Sequence, residues 1–240
     1  MRIVIGQGSC GLAAGAAQLW DALALAAGKH GLDAEFGVTG CIGMCYLEPI
    51  VEVYDGDSRR TYVRVLAKHA DEFVSALKSG SGDILNRLVI SDEDLAAMGK
   101  QTRIALRNCG NIDPENIEDY IASSGYEALK KALGTTPEEV IEEIKISGLA
   151  GRGGAGFPTW FKWDAARRSP GEKKYFICNA DEGDPGAFMD RAVIEGDPHC
   201  LIEGMLIGAY AIGADEAIVY VRAEYPLAIK RLTLAIEQAT

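Results

Sequence analysis

The chain has 240 residues, of which 48% are hydrophobic, and its formal net charge is -11 at pH 7. The apolar fraction is sufficient for one or two domains with buried cores. The negative charge excludes nucleic acid as the main partner, because binding to a phosphate backbone requires clustered Lys and Arg. The sequence has neither a run of about 18 apolar residues nor a signal-peptide pattern, so we expect a cytoplasmic protein without direct membrane insertion.

The first eighty residues have the pattern of a small α/β unit. A short apolar strand precedes a glycine-rich turn and a helix rich in Ala and Leu, which is a β-turn-α opening. The segments that follow have apolar residues at either alternating or helical spacing. The predicted elements in chain order are a strand at 2–5, a helix at 12–29, a strand at 33–38, a hairpin of strands at 50–54 and 61–65, and a helix at 68–78.

A Ser- and Gly-rich segment at 79–83 is typical of a flexible linker and predicts a domain boundary. Beyond it, Asp113-Pro114 and Thr136-Pro137 each combine a capping side chain with Pro at the first helical position, which predicts two helix starts. The second helix ends at Gly148, whose position fits a C-terminal cap. The remaining predicted elements are a strand at 174–178, a helix at 201–211, a strand at 217–222 and a helix at 226–239. This alternation predicts a second α/β domain.

The segment 148–159 contains five glycines within nine residues. Glycine permits close approach of a ligand to the backbone, bare amide groups suit phosphate, and Arg152 adds a fixed positive charge. Gly151, Gly153 and Gly156 satisfy the G-x-G-x-x-G pattern of a dinucleotide-binding turn, but that pattern follows a strand, whereas a helix precedes it here. The sequence therefore predicts a phosphate-binding loop outside the ordinary Rossmann context, with a ligand-free connection as the alternative.

Two side chains next to this glycine loop extend the predicted site. Phe157 follows Gly156 directly, and its ring is suited to stacking on a planar heterocycle. Lys162 lies five residues further on, within reach of a phosphate or a flavin oxygen.

An acidic loop at 179–186 directly follows a predicted strand. Its side chains should lie at the carboxyl edge of a sheet, where α/β proteins bind ligands. Amide and carboxylate groups suit ribityl or ribose hydroxyls and a flavin edge, and a solvated turn of Asp, Gly and Pro is the alternative. A metal site is disfavoured because no well-spaced His or Cys accompanies the acids. The polar side chains in question are Asn179, Asp181, Glu182 and Asp184.

Six cysteines in a chain without an export signal indicate reduced thiols or metal ligands rather than disulfides. Cys41 and Cys45 form a C-x3-C loop after a strand, and Cys10 lies in the first β-turn-α connection, so the fold can bring the three thiols together. A two-iron cluster requires four thiolates, and no fourth cysteine lies in the first eighty residues. The alternatives are a cluster completed by another ligand, a domain that has lost its cluster, and a chance grouping of buried thiols; we favour the lost cluster. The remaining cysteines are isolated in the sequence, and isolated cysteines are usually small buried hydrophobic residues. They are Cys109, Cys178 and Cys200.

Four segments together closely resemble the FMN- and NADH-binding flavoprotein subunit of respiratory complex I and its relatives in NAD-dependent hydrogenases, formate dehydrogenases and electron-bifurcating complexes. They are 148–159, 178–188, 198–205 and 220–225. The first eighty residues resemble the thioredoxin-like 2Fe-2S ferredoxin domain that is fused to the soluble versions.

The resemblance implies an α/β protein with a thioredoxin-like N-terminal domain, followed by helices and the first part of a Rossmann-like FMN-binding domain. The corresponding boundaries are 1–80 for the ferredoxin-type domain, 81–112 for a linker, and 113–240 for the N-terminal part of the FMN/NADH-binding domain.

The resemblance also implies the cofactors and the residues that bind them. FMN would be held by the glycine loop and the acidic loop, and NAD(H) would stack on its ring, with Phe157 and Asp184 facing the nicotinamide nucleotide. No side chain need act as a general acid or base, because the cofactor performs the chemistry. The cofactor-binding residues implied are Gly151, Arg152, Gly153, Gly154, Ala155, Gly156, Phe157, Lys162, Asn179, Asp181, Glu182 and Asp184.

In such a protein the flavin passes electrons singly to an iron-sulfur relay in a multi-subunit complex. The expected partners are iron-sulfur and oxidoreductase subunits, and the 4Fe-4S centres are expected in a missing C-terminal part or in those subunits. Within this chain, the metal ligands implied for a 2Fe-2S cluster are Cys10, Cys41 and Cys45.

The sequence departs from the family pattern at several positions. Ile5 stands where the cluster-bearing domains have a further cysteine, Trp160 where a glycine is usual, and Ala165 where a second aromatic residue often flanks the nucleotide. The chain also ends within a predicted helix, before the second flavin segment, the ubiquitin-like domain and the four-cysteine cluster bundle of the family. These departures leave a second hypothesis open, namely a non-catalytic docking or assembly module that retains the flavoprotein fold.

Overall fold

A four-stranded mixed sheet organises the N-terminal part of the chain. The computed structural model describes residues 1–240 and contains two compact units. The first comprises Met1–Asp119 and Ala192–Asp197, and the second comprises Tyr120–Arg191 and Pro198–Thr240.

The elements of residues 1–116 are β1 (Arg2–Gly6), α1 (Ser9–Ala13), α2 (Ala16–His30), β2 (Glu35–Thr39), β3 (Val51–Asp55), β4 (Ser58–Tyr62), α3 (Ala70–Ser79), α4 (Asp83–Leu88) and α5 (Asp92–Gly99), with short 3-10 turns at Cys45–Leu47 and Ala67–His69. The elements that follow are α6 (Ile117–Ala122), α7 (Glu127–Leu133), α8 (Pro137–Ile146), α9 (Thr159–Arg168), β5 (Tyr175–Ala180), α10 (Met189–Gly196), α11 (Pro198–Ile212), β6 (Glu216–Val221) and α12 (Pro226–Ala239). None of these helices combines the length and the apolar content that a membrane span requires.

The sheet of the first unit has the strand order β2-β1-β3-β4. β1 pairs in parallel with β2, with Ile3 opposite Phe36, and antiparallel with β3, with Ile3 opposite Val53. A parallel β-α-β arrangement followed by an antiparallel hairpin and a helix is the thioredoxin-like topology, so the predicted fold class is confirmed. Apolar residues of β1, α2 and α3 form the core, and among them Ile3, Leu19 and Phe73 are fully buried.

Three predicted elements of this unit differ from the structure. The helix predicted to start at Asp113-Pro114 begins instead at Ile117, because Asp113 accepts a hydrogen bond from Glu115 N–H in a local turn. The helix predicted at 12–29 is divided into α1 and α2, because Gly15 has a φ of 101°, which a helix does not permit. The second hairpin strand, predicted at 61–65, is β4 at Ser58–Tyr62. The strand begins earlier because the chain reverses over Gly56 and Asp57 alone, so that Asp55 pairs with Ser58.

Residues 81–112, which the sequence predicts as a linker, contain α4 and α5. Ile84, Leu85 and Leu88 of α4 are buried in the core of the first unit. Backbone hydrogen bonds reinforce this packing, since Val63 N–H donates to the Leu88 carbonyl at 2.8 Å. The first compact unit therefore extends past the Ser/Gly segment, because the apolar face of α4 completes its core.

The second unit contains a parallel pair of strands, β5 and β6, with Ile177 opposite Ile218. The connection between them includes α11, which packs on both strands and on α7, α8, α9 and α12. The α8 helix begins as predicted at Thr136, whose hydroxyl and Glu139 form a capping box. A helix crossing between two parallel strands is the α/β arrangement predicted for this part of the chain.

Buried polar groups fix the start of α11. His199 is almost fully buried, with Nδ1 2.7 Å from the Tyr126 hydroxyl and Nε2 3.0 Å from Gln238 Oε1. One carboxylate oxygen of Glu203 accepts hydrogen bonds from the Tyr120 hydroxyl and Tyr126 N–H. Because burial of such groups is tolerated only when they are hydrogen-bonded, this network is structural.

The contribution of α4 can be tested by shortening one buried side chain. Ile84 is 0% exposed, so Ile84→Ala should lower the free energy of unfolding by about 2–4 kcal/mol through lost burial and a residual cavity. Urea unfolding followed by circular dichroism measures this change. As a control, Leu25→Ala at a side chain that is 77% exposed should change it by less than about 0.5 kcal/mol. Equal effects of the two substitutions would show that α4 is not part of the core.

Candidate functional site

The glycine loop connects α8 to α9 and closes on itself. Gly151 N–H donates to the Phe157 carbonyl at 2.8 Å, and Thr159 N–H donates to the Leu149 carbonyl at 3.0 Å. Residues 151–158 between these bonds are exposed. The sequence prediction of a helix before the loop is confirmed, and the loop leads directly into the N-terminus of a second helix.

The glycines of this loop differ in whether their backbone conformation requires glycine. Gly154 and Gly156 have φ values of 96° and 61°, which L-residues with side chains rarely adopt. Gly153 has no such backbone requirement, and a Cβ placed there would have no heavy atom of the protein within 4 Å. A Cβ at Gly151 would make only an ordinary contact of 3.6 Å with the Phe157 carbonyl oxygen. Neither conformation nor packing within the chain therefore explains why Gly153 lacks a side chain.

The N-terminus of α9 is suited to an anion. No side chain caps this ten-residue helix, and its first turn contains no acidic residue. Its N-terminal amide groups and the positive end of its dipole are therefore not compensated by the chain's own carboxylates. A phosphate is the kind of group that such helix ends bind.

The structure brings the predicted residues Phe157 and Lys162 together. Lys162 Nζ lies 5.4 Å from the Phe157 ring centroid, and the Phe161 ring is 5.7 Å from the same centroid. Phe157 remains 43% exposed, so one face of this aromatic and cationic group is accessible. Arg152 instead donates to the carbonyl of Ala150 at 3.0 Å, which folds its side chain back on the loop.

Two tryptophans fasten α9 to its surroundings. Trp160 packs on the small apolar core of the second unit, and Lys145 Nζ lies 5.4 Å from its ring centroid. Trp163 lies edge-on to Phe176 of β5, with ring centroids 6.4 Å apart. Trp160, which stands where the family usually has glycine, is therefore part of the packing that positions the loop.

The acidic loop begins at the carboxyl end of β5, as predicted. Asn179 Oδ1 accepts a hydrogen bond from Asp181 N–H at 3.1 Å, which is a local Asx turn. The Asp181 side chain is half-buried, whereas Asp184 is exposed. The loop thus presents one amide and two carboxylates at a strand end.

Glu182 has a structural role that its position in the sequence does not reveal. Its carboxylate accepts hydrogen bonds from the N–H groups of Asp190 at 2.7 Å and Arg191 at 3.1 Å, at the start of α10. Burial, with a further contribution from the Glu182 charge, raises the pKa of Asp190. Glu182 also has a φ of 49°, which shows that the loop holds it in a specific conformation.

Arg222 is a residue of this site to which sequence reasoning assigns no role. Its Nη1 donates to the Glu182 carbonyl at 3.0 Å, and its guanidinium pairs with Glu224. The guanidinium also lies 5.4 Å from the Tyr225 ring centroid. The segment 220–225 is one of the resembling motifs, and its arginine joins the end of β6 to the acidic loop.

The three cysteines of the first unit converge, as the sequence predicts. Cys41 Sγ lies 3.8 Å from Cys10 Sγ and 3.7 Å from Cys45 Sγ, and the Cys45–Cys10 separation is 3.0 Å. These three thiols form the one group of potential metal ligands that lie within 4.8 Å of one another. Cys109, by contrast, is buried with its Sγ 3.8 Å from the Ala192 carbonyl.

The surroundings of these thiols disfavour the ionisation of Cys41. Burial raises the pKa of Cys41, and the charges of Cys10, Cys45 and Glu48 raise it further, against the effect of a hydrogen bond from Gly43 N–H. Burial also raises the pKa of Glu48 to about 7. Its Oε2 accepts a hydrogen bond from Ile50 N–H at 2.8 Å. Ile5, at the position of the family's further cysteine, is fully buried in β1.

Residues 144–240 match the family model of the Nuo51 FMN-binding domain, and this range contains both the glycine loop and the acidic loop. Over 140 residues the chain is 64% identical to the NADP-reducing hydrogenase subunit HndC of Solidesulfovibrio fructosivorans, which corresponds to 58% of this chain and 28% of the relative. It is 43% identical over 129 residues to an NADH-quinone oxidoreductase subunit of Escherichia coli, covering 53% of this chain and 29% of the relative. The NAD-reducing hydrogenase HoxS subunit alpha of Cupriavidus necator is 36% identical over 189 residues, or 78% of this chain and 30% of the relative.

Among solved structures, an NAD+-reducing NiFe hydrogenase in the air-oxidized state aligns with 99% of this chain and 40% of its own, at 26% identity and a TM-score of 0.47. The resemblance to flavoprotein subunits of NADH dehydrogenases and hydrogenases is thus confirmed by the family and sequence matches. The chain spans about 30% of the length of the curated relatives that it matches.

The capping role of Glu182 leads to a measurable prediction. Glu182→Ala removes the acceptor for two N–H groups at the start of α10, and should lower the free energy of unfolding by about 1–2 kcal/mol in the flavin-free chain. Urea unfolding measures this loss. The matched change Asp184→Ala, at an exposed acid two residues away, should have an effect below about 0.5 kcal/mol. A Glu182→Ala chain as stable as the parent would contradict the capping role.

Proposed function

We propose that this chain is part of an FMN-dependent NAD(H) oxidoreductase that passes electrons between NADH and an iron-sulfur relay in a multi-subunit complex. The single observation that carries the proposal is the exposed glycine loop at the uncapped N-terminus of α9, in which neither backbone conformation nor packing explains the missing side chain of Gly153. A ligand that lies against the loop would explain why Gly153 has no side chain. The match of residues 144–240 to an FMN-binding domain supports the identity of that ligand.

The residues present fit FMN. Exposed loop amides and the uncapped N-terminus of α9 suit a phosphate group, and Lys162 adds a cation beside them. The Asn179 amide and the Asp181 carboxylate suit the ribityl hydroxyls or the ring edge. When bound, FMN would accept a hydride from NADH and release electrons one at a time, and the chain's residues would orient it.

Phe157 and Asp184 are the residues proposed to face NAD(H). The exposed Phe157 ring offers a stacking surface for a planar base, with Lys162 and Phe161 against it. The exposed carboxylate of Asp184 would repel the additional phosphate of NADPH and so favour NADH. Arg222 would act as a positioning residue, because it donates to the backbone of the acidic loop.

The names of the relatives support a place in a complex. They are subunits of hydrogenases and of NADH-quinone oxidoreductases, which supports partner subunits for this chain. We propose that those partners carry the iron-sulfur centres. We propose a diaphorase-type activity for the assembled protein and a cytoplasmic location. A non-catalytic docking module is the competing function, and flavin content and NADH oxidation distinguish the two.

The first test replaces the unexplained glycine. Gly153→Asp introduces a carboxylate where the phosphate is proposed to lie, and like-charge repulsion should weaken FMN binding by at least about 100-fold. Flavin content of the protein purified with its native partners measures this loss. NADH-driven reduction of an artificial acceptor should fall with it, while the assembly itself persists.

The matched control is Gly28→Asp, which makes the same change at an exposed glycine of α2 where a Cβ would also meet nothing within 4 Å. It should leave flavin content unchanged. An assembled protein that never contains flavin, or whose flavin is unaffected by Gly153→Asp, would refute the proposal and favour the docking module.

The nucleotide site can be tested separately at Phe157. Phe157→Ala removes the stacking surface and should raise the KM for NADH about 2- to 10-fold with little change in flavin content, because stacking contributes about 0.5–1.5 kcal/mol. Phe157→Tyr retains the ring and should restore the KM. Steady-state assays with NADH and with NADPH measure both the effect and the coenzyme preference. An unchanged KM in Phe157→Ala would exclude this residue from the nucleotide site.

A further inference from the structure

The cysteine cluster has a geometry of its own, independent of the flavin. Its thiols come from two places in the first unit: Cys10 from the first turn of α1, and Cys41 and Cys45 from the loop after β2. The first of these places is closely packed. A Cβ at Gly11 would lie 2.2 Å from the Gly6 carbonyl oxygen, so α1 rests directly on β1.

Glu195 fixes the residue next to Cys10. Its carboxylate accepts hydrogen bonds from Ser9 N–H at 2.8 Å and from the Ser9 hydroxyl at 2.5 Å, and it is almost fully buried. A buried carboxylate that holds the residue directly before a potential ligand resembles the outer-shell support found around metal sites. The position of Cys10 is thus set before any metal binds.

The sulfur separations match the ligands of one metal ion. Thiolates bound to a tetrahedral Zn²⁺ at about 2.3 Å lie about 3.8 Å from one another. Two of the three separations in the cluster are 3.7 and 3.8 Å, and the third, 3.0 Å, requires a shift of less than about 1 Å to reach this value. Cys45 is exposed, so solvent has access to one side of the cluster.

A 2Fe-2S cluster does not fit these residues. Such a cluster requires four ligands, two on each iron. Here only three thiols come together, and they lie within 4.8 Å of one another, close enough to bind the same ion. The position of the fourth cysteine is Ile5, which is fully buried in the central strand and has no ligand atom.

We propose that Cys10, Cys41 and Cys45 bind a single thiophilic divalent cation, Zn²⁺, in a tetrahedral site whose fourth ligand is a solvent oxygen. Binding deprotonates the thiols and releases up to three protons to solvent, with no change of oxidation state. The ion joins the loop after β2 to α1, and so stabilises the thioredoxin-like unit.

The test uses the full chain, purified anaerobically under reducing conditions and loaded with zinc. Elemental analysis should find about one zinc per chain and no inorganic sulfide, and X-ray absorption at the zinc edge should find three sulfurs at about 2.3 Å and one lighter ligand. Cys45→Ser alters an exposed side chain, so the fold should persist by circular dichroism. Its zinc affinity in chelator competition should fall by at least about 100-fold.

Cys200→Ser is the control, because it removes a thiol of α11 in the second unit, and it should retain the zinc. Three results would overturn the proposal. They are two irons with inorganic sulfide per chain and the electron paramagnetic resonance signal of a two-iron centre, failure of the wild-type chain to bind zinc in the chelator competition, or equal zinc affinity in Cys45→Ser. All these readouts are independent of FMN, so they do not depend on the outcome at Gly153.

Discussion

One constraint governs the second unit: the glycine loop must leave its backbone exposed to an anion at the start of α9. It must do so in a chain whose net charge is -11. The loop hydrogen bonds between Gly151 and Phe157, and between Thr159 and Leu149, fix its shape. Trp160 and Trp163 then anchor α9 on the apolar core and on β5. Because the first turn of α9 contains no acid, its positive end remains available to an anion despite the overall charge. The surrounding packing therefore serves to keep a small region of positive potential exposed.

Carboxylates in this protein repeatedly bind backbone amides. Glu139 caps α8, Glu182 accepts from the start of α10, Glu195 holds Ser9, and Glu203 accepts from Tyr126 and Leu129. Each carboxylate compensates N–H groups that secondary structure leaves unpaired. An acidic residue within a recognised motif can therefore either bind a cofactor or accept hydrogen bonds from the chain's own backbone. Glu182 belongs to the predicted FMN-binding set, yet both of its oxygens already bind N–H groups of the chain, whereas Asp184 is exposed and has the freedom to meet a nucleotide.

Much of the fold could be predicted from local signals. The capping box at Thr136, the strand before the acidic loop and the convergence of three thiols all follow from short-range patterns and topology. What escaped prediction depends on tertiary contacts. The break at Gly15 lies in an uninterrupted apolar pattern, and α4 follows a segment whose composition is typical of a linker, although Ile84 completes a core built from distant residues. Glu195 lies 186 residues from Ser9, and no pattern in a single sequence connects them. The boundaries 1–80 and 113–240 stay predictions.

The two halves of the chain have opposite chemical requirements, and this bears on the path of the electrons. The glycine loop and the acidic loop suit a redox cofactor, because they supply dipoles and charges around a flat, exposed surface. The three thiols suit a single ion, and Zn²⁺ has no redox chemistry. A thioredoxin-like unit that binds zinc would have a structural role or would bind a partner protein, but it could not relay electrons. Electrons leaving the flavin would then have to travel through partner proteins. On this view the two hypotheses, oxidoreductase and docking module, would describe different parts of one polypeptide: the part that contains Ile5 in place of a cysteine would not carry electrons, and the part that contains the proposed flavin loop around Gly153 would.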